Sequence, residues 1–162
     1  MNIIAAIISG LAGTIAMTLL MSMASMLGMP NMDIVGMLST MFCKANRTPG
    51  WAFHLMMGSV FALIYAYLWS LGLGAPTLGS ALVFGAVHWL VVGMGMAMMP
   101  VMHAGIKNGQ MPAPGLWMTK QGGMLSFAGG LAGHLCKWQF RSLLCRDKNW
   151  LRPESVRIPH LA

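Results

Sequence analysis

Methionine supplies 19 of the 162 residues, and two overlapping runs crowd it: Met94-Gly-Met96-Ala-Met98-Met99 and Met98-Met99-Pro-Val-Met102-His103. Thioether, thiolate and imidazole are soft donors that select Cu(I). Met98, Met99, Met102 and His103 are therefore the candidate copper ligands, with Met29, Met32 and Cys43 as further donors. The competing reading of each methionine is packing, because its unbranched thioether fills irregular apolar gaps. No Met-x-x-x-Met ladder runs through a whole apolar stretch, which favours copper storage or delivery over transport.

Histidine offers a second chemistry. His88 lies deep in an apolar stretch and is a candidate contact for a quinone or another small molecule. His54, His88 and His134 read as staggered in depth, whereas a bis-histidine haem needs two ligands at one depth on facing helices. Catalysis finds little material: Asp33 is the only carboxylate before residue 147, and neither Gly-x-Ser-x-Gly nor His-Glu-x-x-His occurs. A non-catalytic protein is expected. Cys43, Cys136 and Cys145 are odd in number and lack Cys-x-x-Cys spacing, so they imply neither a disulfide framework nor a zinc site.

The elements that must carry these residues follow from composition. The chain is 57% hydrophobic and only 8% charged, with a formal charge of +7. A soluble domain carries about 25% charged residues, so this chain reads as membrane-embedded. A helix needs about 20 apolar residues to cross a bilayer, and residues 3–27, 51–73 and 76–99 contain no charge. A fourth span is placed at 116–140, where Lys137 is expected to extend its stem to the interface. The expected fold is an all-α, four-span bundle over residues 1–140, followed by a tail at 141–162. The first span lacks the basic n-region of a signal peptide and is expected to be retained.

Six of the ten cations lie in the last 26 residues, between Lys137 and Arg157. By the positive-inside rule both termini are cytoplasmic, in a bacterial inner membrane, and the basic amphipathic tail meets anionic headgroups; nucleic acid is not implied. Segments 28–50 and 100–115 then face outward, and 14 of the 19 methionines fall in or beyond the outer half. Val35, Leu38, Met41 and Phe42 share a helical stripe, so a short helix is expected there. Residues 72–76 form a tight inner turn, with Pro76 at the start of the third span.

The halves repeat a pattern. Met29-Pro30 and Met99-Pro100 each close a span, and Thr48-Pro49-Gly50-Trp51 and Pro114-Gly115-Leu116-Trp117 each open the next, as two parallel helix-hairpin repeats would. Gly10-Leu-Ala-Gly13-Thr14 with Met17-Thr18, Gly50-Trp51-Ala52-Phe53-His54 with Gly58, and Gly85-Ala-Val-His88-Trp89 leading to Met99-Pro100 resemble a family of small bacterial four-helix membrane proteins. That resemblance implies topology and no mechanism. Glycines at 10, 13, 58, 79 (with Ser80), 85, 93, 95, 129, 130 and 133 allow helices to approach closely. They point to an accessory or assembly subunit of a larger membrane complex, or a homo-oligomer, with copper handling as the alternative and quinone binding at His88 third.

Overall fold

The computed structural model describes residues 2–30, 32–42, 46–75, 77–109 and 111–144. Among the described residues seven helices follow one another: α1 (Ile3–Met26), α2 (Ile34–Phe42), α3 (Thr48–Ser70), α4 (Leu78–Met96), α5 (Met99–Met102), α6 (Ala104–Lys107) and α7 (Thr119–Leu144), with a 3-10 turn at Leu116–Met118. No strand occurs among the described residues, and the fold is an all-α bundle. Helices α1, α3 and α4 are each long and apolar enough to cross a membrane, which makes this a membrane protein. Helix α7 is not of that apolarity, because its glycines, His134, Lys137 and Gln139 dilute the apolar run. Cys43, Pro76 and the tail beyond Leu144 lie outside the described residues.

Local chemistry sets the helix ends. The Asn2 side chain accepts from the Ala5 N–H at 3.1 Å and caps α1. Helix α3 starts at Thr48, one turn before the expected 51, because Pro49 fits the first turn without sacrificing a bond. It stops at Ser70 rather than 73, where Gly72 takes a φ of +82° and turns the chain. The Thr77 hydroxyl accepts from the Ser80 N–H at 3.3 Å, so α4 begins at Leu78 behind a threonine cap. The short helix expected beyond the first span is α2, with Val35 and Leu38 buried.

Helix α1 packs between α3 and α7, α4 packs on α7, and α2 lies against α3. Each half is thus a long helix, a short helical segment and a second long helix. Where α1 meets α3, Gly58 leaves room for the Thr14 side chain, whose hydroxyl donates to the Gly10 carbonyl at 2.8 Å. Gly13 faces Lys137 of α7, and Gly85 faces the backbone of His134 and Leu135. These small residues, expected to face partners, are occupied inside the bundle.

The start of α7 is irregular. Gly122 (φ −162°, ψ 22°) and Gly123 (φ +58°, ψ −143°) interrupt the helix just after it begins. Immediately upstream, Trp117 and Met118 hold left-handed φ values of 48° and 58°, a conformation that costs non-glycine residues energy and persists only where packing fixes it. The packing here is the Trp117 indole, which lies across Gly93 of α4. At the other end α7 runs on to Leu144, past the expected limit at 140.

Candidate functional site

Helices α3 and α4 are joined by a short turn, yet their backbones barely meet. Near the turn aromatic rings fill the gap, with Phe61 and His88 at 4.2 Å between centroids, Tyr65 and Phe84 at 4.9 Å, and Tyr65 edge-on to Trp138 at 4.4 Å. Beyond these rings the gap stays open as a cavity of about 370 Å³, within the ~300–1,000 Å³ typical of small-molecule sites. Methionines including Met17, Met21, Met37, Met57, Met96 and Met118 form much of its wall. The wall reaches the protein surface at Val91, Met98 and Met102, each more than half exposed.

The polar groups on this wall are basic: His54 from α3, His88 from α4, and His134 and Lys137 from α7. His88 and His134 lie in contact, their ring centroids 5.1 Å apart. The expected stagger of these histidines is corrected by the length of α7. His88 is ten residues from the start of α4 and His134 ten from the end of α7, so each is about 15 Å from that end of its helix. Their rings pack on each other and leave no slot between them for a haem.

His134 Nδ1 lies 2.8 Å from the Gly130 carbonyl oxygen. A carbonyl only accepts, so the proton sits on Nδ1 and Nε2 carries a lone pair. The His88 Nδ1 is 3.4 Å from the Tyr65 hydroxyl. Trp89 is buried against His134, at 5.1 Å between centroids, and its indole N–H has no hydrogen-bond partner. Lys137 is only 6% exposed. Its expected reach to the interface is therefore not observed: α7 extends a further turn, and the side chain turns into the bundle beside Gly13.

Of the candidate copper donors, Met98, Met99 and Met102 line this cavity. His103 does not. It is fully buried, its Nδ1 accepts from the Ile106 N–H at 3.3 Å, and its Nε2 lies 3.0 Å from both the Met37 carbonyl and the Thr40 hydroxyl. Both ring nitrogens are thus engaged in holding α2 and α6 together. Met29 and Met32 pack instead against Gly129 of α7. Among the described residues no group of three His, Cys, Asp or Glu side chains could hold a metal ion.

A second cavity, of about 270 Å³, adjoins the first and shares Met21, Ile34 and His54 with it. Asp33 and Arg47 stand on its wall as a two-pronged ion pair, at 2.8 and 2.6 Å. Burial pushes the Asp33 carboxyl up, but hydrogen bonds from Arg47 and the Gly36 N–H, with the Arg47 charge, outweigh it and hold the group below its ordinary value. The hydrogen bond and charge of Asp33 raise the Arg47 guanidinium in turn. Sequence reasoning missed this pair and the inward Lys137; the one readable signal for the pair was that Asp33 and Arg47 bracket a short apolar helix.

No curated protein and no solved structure matches the chain. One family model does, over residues 1–118. That match runs from α1 through the 3-10 turn and leaves α7, with His134 and Lys137, outside it. Because it covers more than two thirds of the 162 residues, the chain belongs to DUF6789, a family of unknown function.

Proposed function

We propose that this protein is a multi-pass, non-catalytic membrane protein that holds a lipophilic small molecule, a quinone or a molecule of similar build, in the cavity between α3 and α4. The observation that carries this reading is a roomy, methionine-walled space in which basic side chains from three helices converge. Intramembrane ionisable residues are costly and default to function, and flexible thioethers adapt to an elongated apolar guest. The proposed setting is a bacterial inner membrane with four crossings and cytoplasmic termini, the basic tail resting on anionic lipid.

The test blocks the cavity without disturbing the bundle. Gly95 lines the cavity, and a Cβ built on it meets nothing within 4 Å. A phenyl ring at this position enters the open space. Native mass spectrometry on protein gently extracted from its own membrane is expected to show a small lipophilic adduct on the wild type and none on Gly95→Phe, with unfolding temperatures alike. Equal adducts, or none on either, reject the reading.

Copper is the second reading, favoured by Met98, Met99 and Met102 on one wall. Elemental analysis of the same sample separates the two. Service as an accessory subunit remains a proposal from sequence: of the glycines it leaned on, Gly10, Gly13, Gly58, Gly85, Gly93 and Gly130 meet neighbours within the bundle, whereas a Cβ on Gly79 or Gly95 meets nothing within 4 Å. Constant co-migration with larger chains is its test.

A further inference from the structure

We infer, resting on the ligand-binding reading above, that the guest of this cavity is a neutral lipid with a hydroxyl head, held between the Trp89 indole N–H and the Nε2 of His134.

Both residues line the cavity. Trp89 is 1% exposed, and among the described residues its indole N–H finds no acceptor. A buried donor left unpaired is costly, so such an orphan calls for an acceptor brought from outside the chain. His134 presents the opposite need. The Gly130 carbonyl accepts from its Nδ1–H at 2.8 Å, which leaves a lone pair on Nε2. A donor that cannot accept thus stands beside an acceptor that cannot donate. Their ring centroids are 5.1 Å apart, below the ~5.8 Å that one oxygen spans with two hydrogen bonds of about 2.9 Å each.

A single hydroxyl answers both groups, since its oxygen accepts from Trp89 while its proton goes to His134. Other heads do less. A quinone carbonyl, an ether or a carboxylate only accepts, and so leaves the His134 lone pair unmet. A plain hydrocarbon meets neither group. The remaining wall, rich in methionine, continues to the surface at Met98 and Met102 and takes the chain.

Two sources supply this head: a phenolic hydroxyl on a quinol-like ring and an aliphatic hydroxyl on a long-chain alcohol. The experiment separates them. The full chain in phosphatidylcholine nanodiscs is titrated with para-dodecylphenol, with hexadecanol and with the methyl ether of each. Bound probe is counted by native mass spectrometry, against its mole fraction in the bilayer so that partitioning cancels. At least one hydroxyl probe is expected to bind more tightly than its own ether by about three- to tenfold, the worth of one net hydrogen bond. The hydroxyl probe with the larger advantage names the source.

The two residues leave different signatures. His134→Phe is expected to bring the hydroxyl probe down to its ether, with ether binding unchanged. Trp89→Phe is expected to weaken hydroxyl and ether by a similar factor, because both accept from the indole, and so to keep their ratio. If either variant fails to fold, the comparison of hydroxyl with ether on the wild type still decides. A hydroxyl preference that survives His134→Phe overturns the assignment. Equal binding of hydroxyl and ether to the wild type also overturns it, yet leaves the cavity reading standing when Gly95→Phe abolishes both. No binding by any probe overturns this inference, and the Gly95→Phe comparison on native extract then decides the ligand-binding reading separately.

Discussion

His88 of α4 and His134 of α7 hold their imidazole rings 5.1 Å apart at the centre of the bundle, and Trp89 packs on the same His134 ring at the same separation. The three rings form a stack, and His134 donates from its Nδ1–H to the Gly130 carbonyl. Shape and polarity are therefore separable at this position. His134→Phe keeps the stack and is expected to change stability by less than about 1.5 kcal/mol, as volume-conserving swaps do. His134→Ala removes the ring and is expected to cost about 2–4 kcal/mol through the cavity it opens. Unfolding of the two variants in mixed micelles checks the order; a loss for Phe as large as that for Ala would show that the imidazole nitrogens, not the ring, hold this contact.

His103 separates copper chemistry from architecture. Its Nδ1 accepts from Ile106 and its Nε2 faces the Met37 carbonyl and Thr40, so both nitrogens are engaged. His103→Ala strands buried partners and is expected to destabilise the fold by about 1–3 kcal/mol, while Cu(I) binding, measured by competition with a chromogenic chelator, stays as in the wild type. Loss of copper stoichiometry with the fold intact would instead make His103 a ligand.

The Asp33–Arg47 pair ties the start of α2 to the start of α3, and Asp33 also accepts from the Gly36 N–H at 2.9 Å, as a helix N-cap does. Its carboxyl is held below the ordinary value in the folded state. A depressed carboxylate contributes stability that is fully present above its unfolded value, near 3.9, and is lost as pH falls through the lower folded value. The protection of the Gly36 and Met37 amides, taken relative to their intrinsic exchange rates at each pH, is accordingly expected to be flat above about pH 5 and to fall below about pH 4. Asp33→Asn keeps the cap and loses the charge, and because the pair is largely exposed it should cost less than about 1 kcal/mol. An acid-insensitive α2 in the wild type would contradict the assignment.

Much of this architecture was legible in residue patterning. Uncharged runs marked α1, α3 and α4 to within a turn, and the stripe through Val35 and Leu38 marked α2. What escaped was set by long-range packing. Nothing local in Trp117-Met118 announces two left-handed residues, since the conformation is imposed by the Trp117 indole lying on Gly93. Adjacent Gly122 and Gly123 break the helix inside the stretch expected to form the fourth span. The continuation of α7 to Leu144 changed the depth of everything on it, so His134 met His88 and Lys137 turned inward. The cavity itself had no signature, because it is made by a separation between α3 and α4 rather than by any one segment.

Two glycines one turn-half apart on α4 carry opposite consequences. The Trp117 ring occupies the space that a Cβ on Gly93 would need, whereas a Cβ on Gly95 meets nothing within 4 Å. Gly93→Ala must displace the indole and is expected to cost about 1–3 kcal/mol, with a shift in tryptophan emission that a Trp117→Phe background abolishes. Gly95→Ala is expected to be neutral, or to stabilise by up to about 1 kcal/mol through helix propensity. Equal costs at the two sites would mean that Trp117 is not seated on α4.

Orientation across the bilayer sets which side each cavity serves. Six cations between Lys137 and Arg157 outweigh Lys44 and Arg47, or Lys107 and Lys120, in the other connections, and such an excess marks the cytoplasmic side. A variant whose only cysteine is Cys43 should therefore react with a membrane-impermeant maleimide applied from outside intact spheroplasts, and a variant whose only cysteine is Cys145 should react only after the membrane is opened. The opposite pattern would turn the Asp33–Arg47 pair and the surface edge at Met98 and Met102 toward the cytoplasm, so that any guest of the larger cavity would be exchanged from the inner leaflet.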